Sequence, residues 1–245
     1  MTAPADAPAP RRDLYAALFA LVLPSLITWV YFFQAERLPP ALQGLVFGGV
    51  KIVQFGFPLA WVLLVERRRV KLAWPGGRGV GLGLAFGAAV AAAMVGLYFA
   101  WLRQAPDFAP AADAMREKIS GFGLDSAVKF AALGVFYSLC HSLLEEYYWR
   151  WFVFGELQRF ATFATALVVS SIGFAAHHVL VLGKYFGFAS WETWVFAACV
   201  GVGGAFWAWL YRRSGSLLGP WGSHLLVDAA IFSLGYEIGR ASFAG

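Results

Sequence analysis

The stretch Val135-Phe-Tyr-Ser-Leu-Cys-His-Ser-Leu-Leu-Glu-Glu-Tyr-Tyr-Trp-Arg150 decides how this chain is read. It belongs to an apolar run long enough to cross a bilayer, yet it carries two adjacent carboxylates, Glu145 and Glu146, with Arg150 close behind. A charge at the centre of a membrane helix costs about 2.5–3.5 kcal/mol on insertion scales, so an acid there marks a functional site whose partner has to be found. Successive residues of an α-helix are about 100° apart, which separates the two acids. Glu146 and Arg150, four positions apart, share a face and can form an ion pair. Taken alone, that pair is explained as a structural lock between helices. Glu145 points elsewhere, and its own helix offers it only His141, four residues earlier.

The rest of the chain sets the class. Of 245 residues, 60% are hydrophobic, 18% aromatic and 13% charged, against about 25% charged in a soluble domain. Mean hydropathy is +0.65. About 20 apolar residues span a bilayer, and seven segments qualify: Leu14–Phe33, Leu42–Leu64, Val80–Leu102, Ala127–Phe154, Phe163–Leu182, Trp194–Tyr211 and Leu217–Tyr236. The expected fold is an all-α polytopic transmembrane helical bundle of about seven spans, with an eighth left open, around an intramembrane polar cavity. Residues 1–12, rich in Ala and Pro, are expected to be a disordered tail. Residues 13–245 are expected to form a single transmembrane domain with its catalytic core at about 127–236.

Arg11-Arg12 followed by an apolar run looks like the start of a signal peptide, but the run is too long for one and no small-residue cleavage site follows. It is read as an uncleaved first span. The net charge of +5 is carried by residues that punctuate apolar runs, which argues against nucleic acid as a partner. The dense basic cluster Arg67–Lys71 falls on the same side as Arg11 and Arg12. The N-terminus is therefore expected in the cytoplasm and the C-terminus outside. Cys140 and Cys199 read as small core residues. Glycines crowd the third and sixth spans (Gly81, Gly83, Gly87; Gly201, Gly203, Gly204), a composition that lets helices approach closely. In the polar connection Gln104–Asp125, the segment starting at Met115 could form a short interfacial helix.

Two more spans carry ionisable groups. The fifth holds Phe174-Ala-Ala-His177-His178, and the seventh holds His224-Leu-Leu-Val-Asp228, whose spacing of four stacks His on Asp. The other four spans carry almost none, Lys51 being the main exception. Buried ionisable groups seek each other because an unpaired one is expensive. The fourth, fifth and seventh spans should therefore converge on one cavity suited to activating water and stabilising an oxyanion. No His-Glu-x-x-His helix and no Gly-x-Ser-x-Gly elbow is present.

The order Glu145-Glu146-x-x-x-Arg150, Phe174-x-x-x-His178, His224-x-x-x-Asp228 resembles the CPBP family, which includes the type II CAAX prenyl endopeptidases. The resemblance covers roughly Ala127–Tyr236. It implies a glutamic-type intramembrane protease that uses no metal and no cofactor. Its substrate would be a membrane-anchored or lipidated protein cut near its C-terminal region. Under it, Glu145 activates water with His178 assisting, and His224 and Asp228 form the oxyanion hole. Glu146, Arg150 and Phe174 support the site. Asp228 departs from the Asn common in eukaryotic members; an ionised Asp would have to be protonated or serve to orient His224. His177 is a second candidate that the motif spacing disfavours.

The alternative is a non-catalytic bacteriocin-immunity or scaffold protein of the same fold. The Ala/Gly/Arg-rich composition suggests a bacterial inner membrane. For Glu145 to meet His178, the connecting turn must fall near residue 161 or 162. That sets the site about 24 Å from the turn, nearer the opposite, extracytoplasmic face.

Overall fold

A computed structural model describes residues 10–70, 76–124 and 126–243. Most of the expected N-terminal tail, and Lys71 of the basic cluster, lie outside the described residues. Six helices are long and apolar enough to cross a membrane: α1 (Arg11–Gln34), α2 (Leu42–Val65), α3 (Val80–Gln104), α5 (Ala127–Leu157), α6 (Phe163–Phe186) and α7 (Trp191–Ser214). Between α3 and α5 lies α4 (Ala109–Gly121), the short helix expected in the polar connection. The seventh segment also folds as a helix, α8 (Leu218–Gly239), but it is not one of the six. Pro220, His224 and Asp228 dilute its apolar character. Among the described residues there is no strand.

The core forms where small residues meet large ones. Ala16, Ala17 and Ala20 of α1 are buried against Tyr148, Trp149, Phe152 and Val153 of α5, with Trp207 and Ala208 of α7 closing the layer. Pro24 inside α1 has no N–H to offer the carbonyl four residues back. That carbonyl, of Ala20, instead accepts the Tyr148 hydroxyl at 2.6 Å. A helix irregularity written by one proline is thus satisfied by a tyrosine of the glutamate-bearing helix.

The glycines of α3 meet α8. A Cβ at Gly83 would lie 2.2 Å from the Gly219 carbonyl oxygen, and one at Gly87 would lie 2.6 Å from the Ser223 carbonyl oxygen. The two backbones touch, and this contact sets the position of Ser223 and its neighbour His224. The short α4 seals one end of the bundle, where Tyr98, Leu102, Phe108, Ala112 and Ile238 form a second small core. There the Arg116 Nε donates to the Ile238 carbonyl at 3.0 Å.

Asp13, Glu66 and Glu156 gather where α1, α2 and α5 come together, each offering a carboxylate oxygen within 4.8 Å of the others. Arg159 bonds all three, and Arg68 bonds Glu66 and Glu156. Burial pushes the Glu66 carboxyl up from its ordinary range, against the pull of Arg68 and Arg159. Arg159 closes the α5–α6 hairpin, and Thr162 caps α6 by accepting from the Thr165 N–H at 3.2 Å. The turn therefore lies where the sequence required it.

Candidate active site

The long helix α5 is not regular. Wide, π-helical turns occupy Tyr137–His141 and Tyr147–Phe154, and they bracket a short α-helical piece, Ser142–Glu146, that holds both glutamates. Such turns disturb the hydrogen-bond ladder and recur at functional sites. Other helices take up the disturbed groups: the Trp221 indole N–H of α8 donates to the Leu139 carbonyl at 3.0 Å.

Glu146 is fully buried. Its Oε2 lies 3.1 Å from the Arg150 Nε, so the ion pair anticipated from the spacing of four is present. Arg150 is held on every side. Its guanidinium lies over Phe174 at 4.5 Å and over Trp207 at 5.0 Å, and its Nη2 donates to the Gly204 carbonyl at 3.4 Å. A Cβ at Gly204 would lie 3.0 Å from the Phe174 ring, so that glycine keeps α7 close enough to supply the carbonyl. Glu146 has a second partner that the sequence did not announce: its Oε1 accepts from the His224 Nδ1 at 2.8 Å. A carboxylate only accepts, so the proton of this bond sits on Nδ1. The His224 ring is fixed further by stacking on Trp207, 4.4 Å between centroids. The Trp207 indole N–H in turn donates to the Ser223 Oγ at 2.8 Å.

The His224 Nε2 is thereby aimed at two acids. It lies 3.7 Å from Glu145 Oε2 and 3.6 Å from Asp228 Oδ1. The other oxygen of Glu145 lies 3.8 Å from the His177 Nε2. Glu145 is 5% exposed, so this carboxylate is enclosed by the bundle and flanked by imidazoles of α6 and α8.

The two adjacent histidines take different places. His177 stacks on Trp149, 5.7 Å between centroids with the rings within 6° of parallel, and faces Glu145. The His178 Nδ1 lies 2.9 Å from the Phe174 carbonyl. A carbonyl cannot donate, so His178 carries its proton on Nδ1 and leaves Nε2 as a lone-pair base. Its ring centroid is 4.1 Å from that of His177, and among the described residues no carboxylate lies within 4.0 Å of it. His141, on the same helix as Glu145, packs instead against Tyr137 and Phe55, at 4.7 and 5.7 Å between centroids. Of the residues singled out from the sequence, Glu145, Glu146, Arg150, Phe174, His224 and Asp228 are brought together, with His178 adjoining through Phe174 and His177. Trp149, Trp207 and Gly204 were not expected to join them. Only the glycine content of the sixth span hinted at the last.

The fold and site define a polytopic helical membrane protein with a buried Glu/His/Asp cluster. Residues 127–230 match the family model described as type II CAAX prenyl endopeptidase Rce1-like. This stretch of the chain is thus similar to the CPBP family of CAAX-protease-like membrane proteins. The match supports intramembrane endopeptidase activity of the CAAX type in general, on membrane-associated substrates. No curated protein and no solved structure matches the chain significantly.

Proposed function

We propose that the protein is a glutamate-dependent intramembrane endopeptidase that cuts a membrane-anchored or lipidated protein near its C-terminal region. One observation carries the reading. The Glu145 carboxylate stands 3.8 Å from one imidazole nitrogen and 3.7 Å from another, both on other helices. Those separations exceed a direct hydrogen bond and suit a bridging water.

In this scheme Glu145 takes a proton from the water as its oxygen attacks the scissile carbonyl. His224, held by Glu146 through Nδ1, presents Nε2–H to the developing oxyanion. Preorganised donors of this kind are the largest single contribution in many hydrolases. Asp228 orients His224 or shares its proton. His178 assists from the motif position, with Nε2 free as a base, and the proton taken from water passes to the leaving amine. Because His177 is the imidazole nearer Glu145 here, the second reading gives the assisting role to His177. No metal and no cofactor enters either scheme. The cell membrane of a bacterium is the proposed location, with the cavity nearer the extracytoplasmic face.

The test compares membrane proteomes of cells carrying the wild-type protein, Glu145→Ala or His224→Ala. Variants that accumulate in the membrane but leave C-terminally unprocessed species support the assignment. Unchanged processing in Glu145→Ala would instead mark the fold as a non-catalytic immunity or scaffold protein.

A further inference from the structure

Lys51 is the one basic residue in the middle of α2, and nothing above uses it. Among the described residues, no carboxylate lies within 4.0 Å of its ammonium. Its Nζ instead lies over two rings of its own helix, 5.6 Å from the centroid of Phe47 and 5.4 Å from that of Phe55. Phe55 reaches across to α5, where its ring meets His141 at 5.7 Å. The His141 Nε2 is buried with no hydrogen-bond partner. Lys51 is also close enough to both Glu145 and His141 for their charges to interact. Phe57 of α2 also meets Phe152 of α5, 5.8 Å between ring centroids. At the level of Lys51, the Phe55 ring bridges the two helices, meeting both His141 and Tyr148.

An unpaired ammonium at mid-membrane is costly, and so is an unpaired buried imidazole nitrogen. Two such groups stand on neighbouring helices, each near enough to Glu145 to interact with its charge. Cation–π contact with two phenylalanines holds an ammonium without neutralising it, so it stays available to an anion.

We propose that Lys51, with His141 beside it, is the subsite that binds a carboxylate of the substrate, and so sets how far from that carboxylate the peptide is cut. The proposal rests on the endopeptidase reading and adds a substrate determinant to it. A peptide's C-terminal carboxylate and an acidic side chain close to its end share the chemistry that an ammonium recognises.

Binding can be measured without turnover on full-length Glu145→Gln protein in bicelles. The probes are fluorescein-labelled farnesylated heptapeptides ending in a free carboxylate, in a C-terminal amide, or in an amidated aspartate. The free acid is expected to bind at least about tenfold more tightly than the amide. Adding Lys51→Met should erase that preference, and Lys51→Arg should keep most of it. If the amidated aspartate binds like the acid, a side-chain carboxylate serves as well; if it binds like the plain amide, the terminal carboxylate is the one read. Equal binding of acid and amide, absence of binding by all three, or a preference that survives Lys51→Met overturns the proposal. Since no bond is cut, an acid preference in a protein that proves to cleave nothing would retain the subsite and sink the protease assignment alone.

Discussion

The His224 Nδ1 lies 2.8 Å from the Glu146 carboxylate, joining α8 to α5 at the centre of the bundle. This bond gives Glu146 two tasks, since its other oxygen pairs with Arg150. Glu146→Gln keeps an acceptor for Nδ1–H but removes the charge that favours a protonated imidazole. Its kcat should fall about 10²–10³-fold, the range for losing one oxyanion donor, with KM little changed. Steady-state kinetics on purified protein check this, and a kcat within a few-fold of wild type would reject the orienting role.

Structure and chemistry at Glu146 can be separated through Arg150. Arg150→Met alone leaves a buried carboxylate without its cation and should cost about 3–5 kcal/mol of stability. The double variant Glu146→Gln/Arg150→Met removes both charges and should recover most of that loss, because well-packed neutral residues often replace a buried pair at no cost. Its activity should stay as low as that of Glu146→Gln alone, since His224 still lacks its carboxylate. Thermal unfolding in detergent beside a cleavage assay reads both quantities.

The two histidines of α6 make opposite predictions. With His178 as the assisting base, His178→Ala should abolish cleavage while His177→Ala retains activity within about tenfold, the effect of losing an orienting contact rather than a proton-transfer group. The reverse result would assign the role to His177, whose Nε2 is 3.8 Å from Glu145.

The α3–α8 contact gives a test of packing alone. Gly87→Ala would place a methyl 2.6 Å from the Ser223 carbonyl oxygen, forcing the helices apart beside His224. It should cost about 1–3 kcal/mol as an overpacking substitution and reduce activity with it. Gly81→Ala, with nothing within 4 Å of the new methyl, should change neither. Equal effects of the two would refute the backbone contact.

The Asp13/Glu66/Glu156 cluster sets a pH dependence. Burial raises the Glu66 carboxyl above its ordinary 4.5. The folded protein therefore binds this proton more tightly than the unfolded chain does. The associated stability is fully present below pH 4.5 and is lost as pH rises through the elevated folded value. Unfolding temperatures measured upward from about pH 4.5 should show this decline in wild type and a shallower one in Glu66→Gln.

Much of the site was legible because helix periodicity is local. The Glu146–Arg150 pair follows from a spacing of four, and it survives the π-helical turns that begin at Tyr147. The cost of burying charge told that the spans bearing Glu145, His177 and His224 had to meet. Which imidazole meets which carboxylate was not legible. His224 was expected to pair with Asp228 on its own helix, yet its closest acid is Glu146, 78 positions away. His141 shares the Glu145 helix and lies near enough to interact with its charge, yet its ring packs on Phe55 and Tyr137.

By itself the sequence determined the membrane class, the run of long apolar helices and the set of polar groups that must be buried together, since each follows from composition and local spacing. The tertiary structure alone decided the pairing within that set. Pairing depends on how near helices approach, and the glycines at 83, 87 and 204, the proline at 24 and the irregular turns of α5 set those approaches.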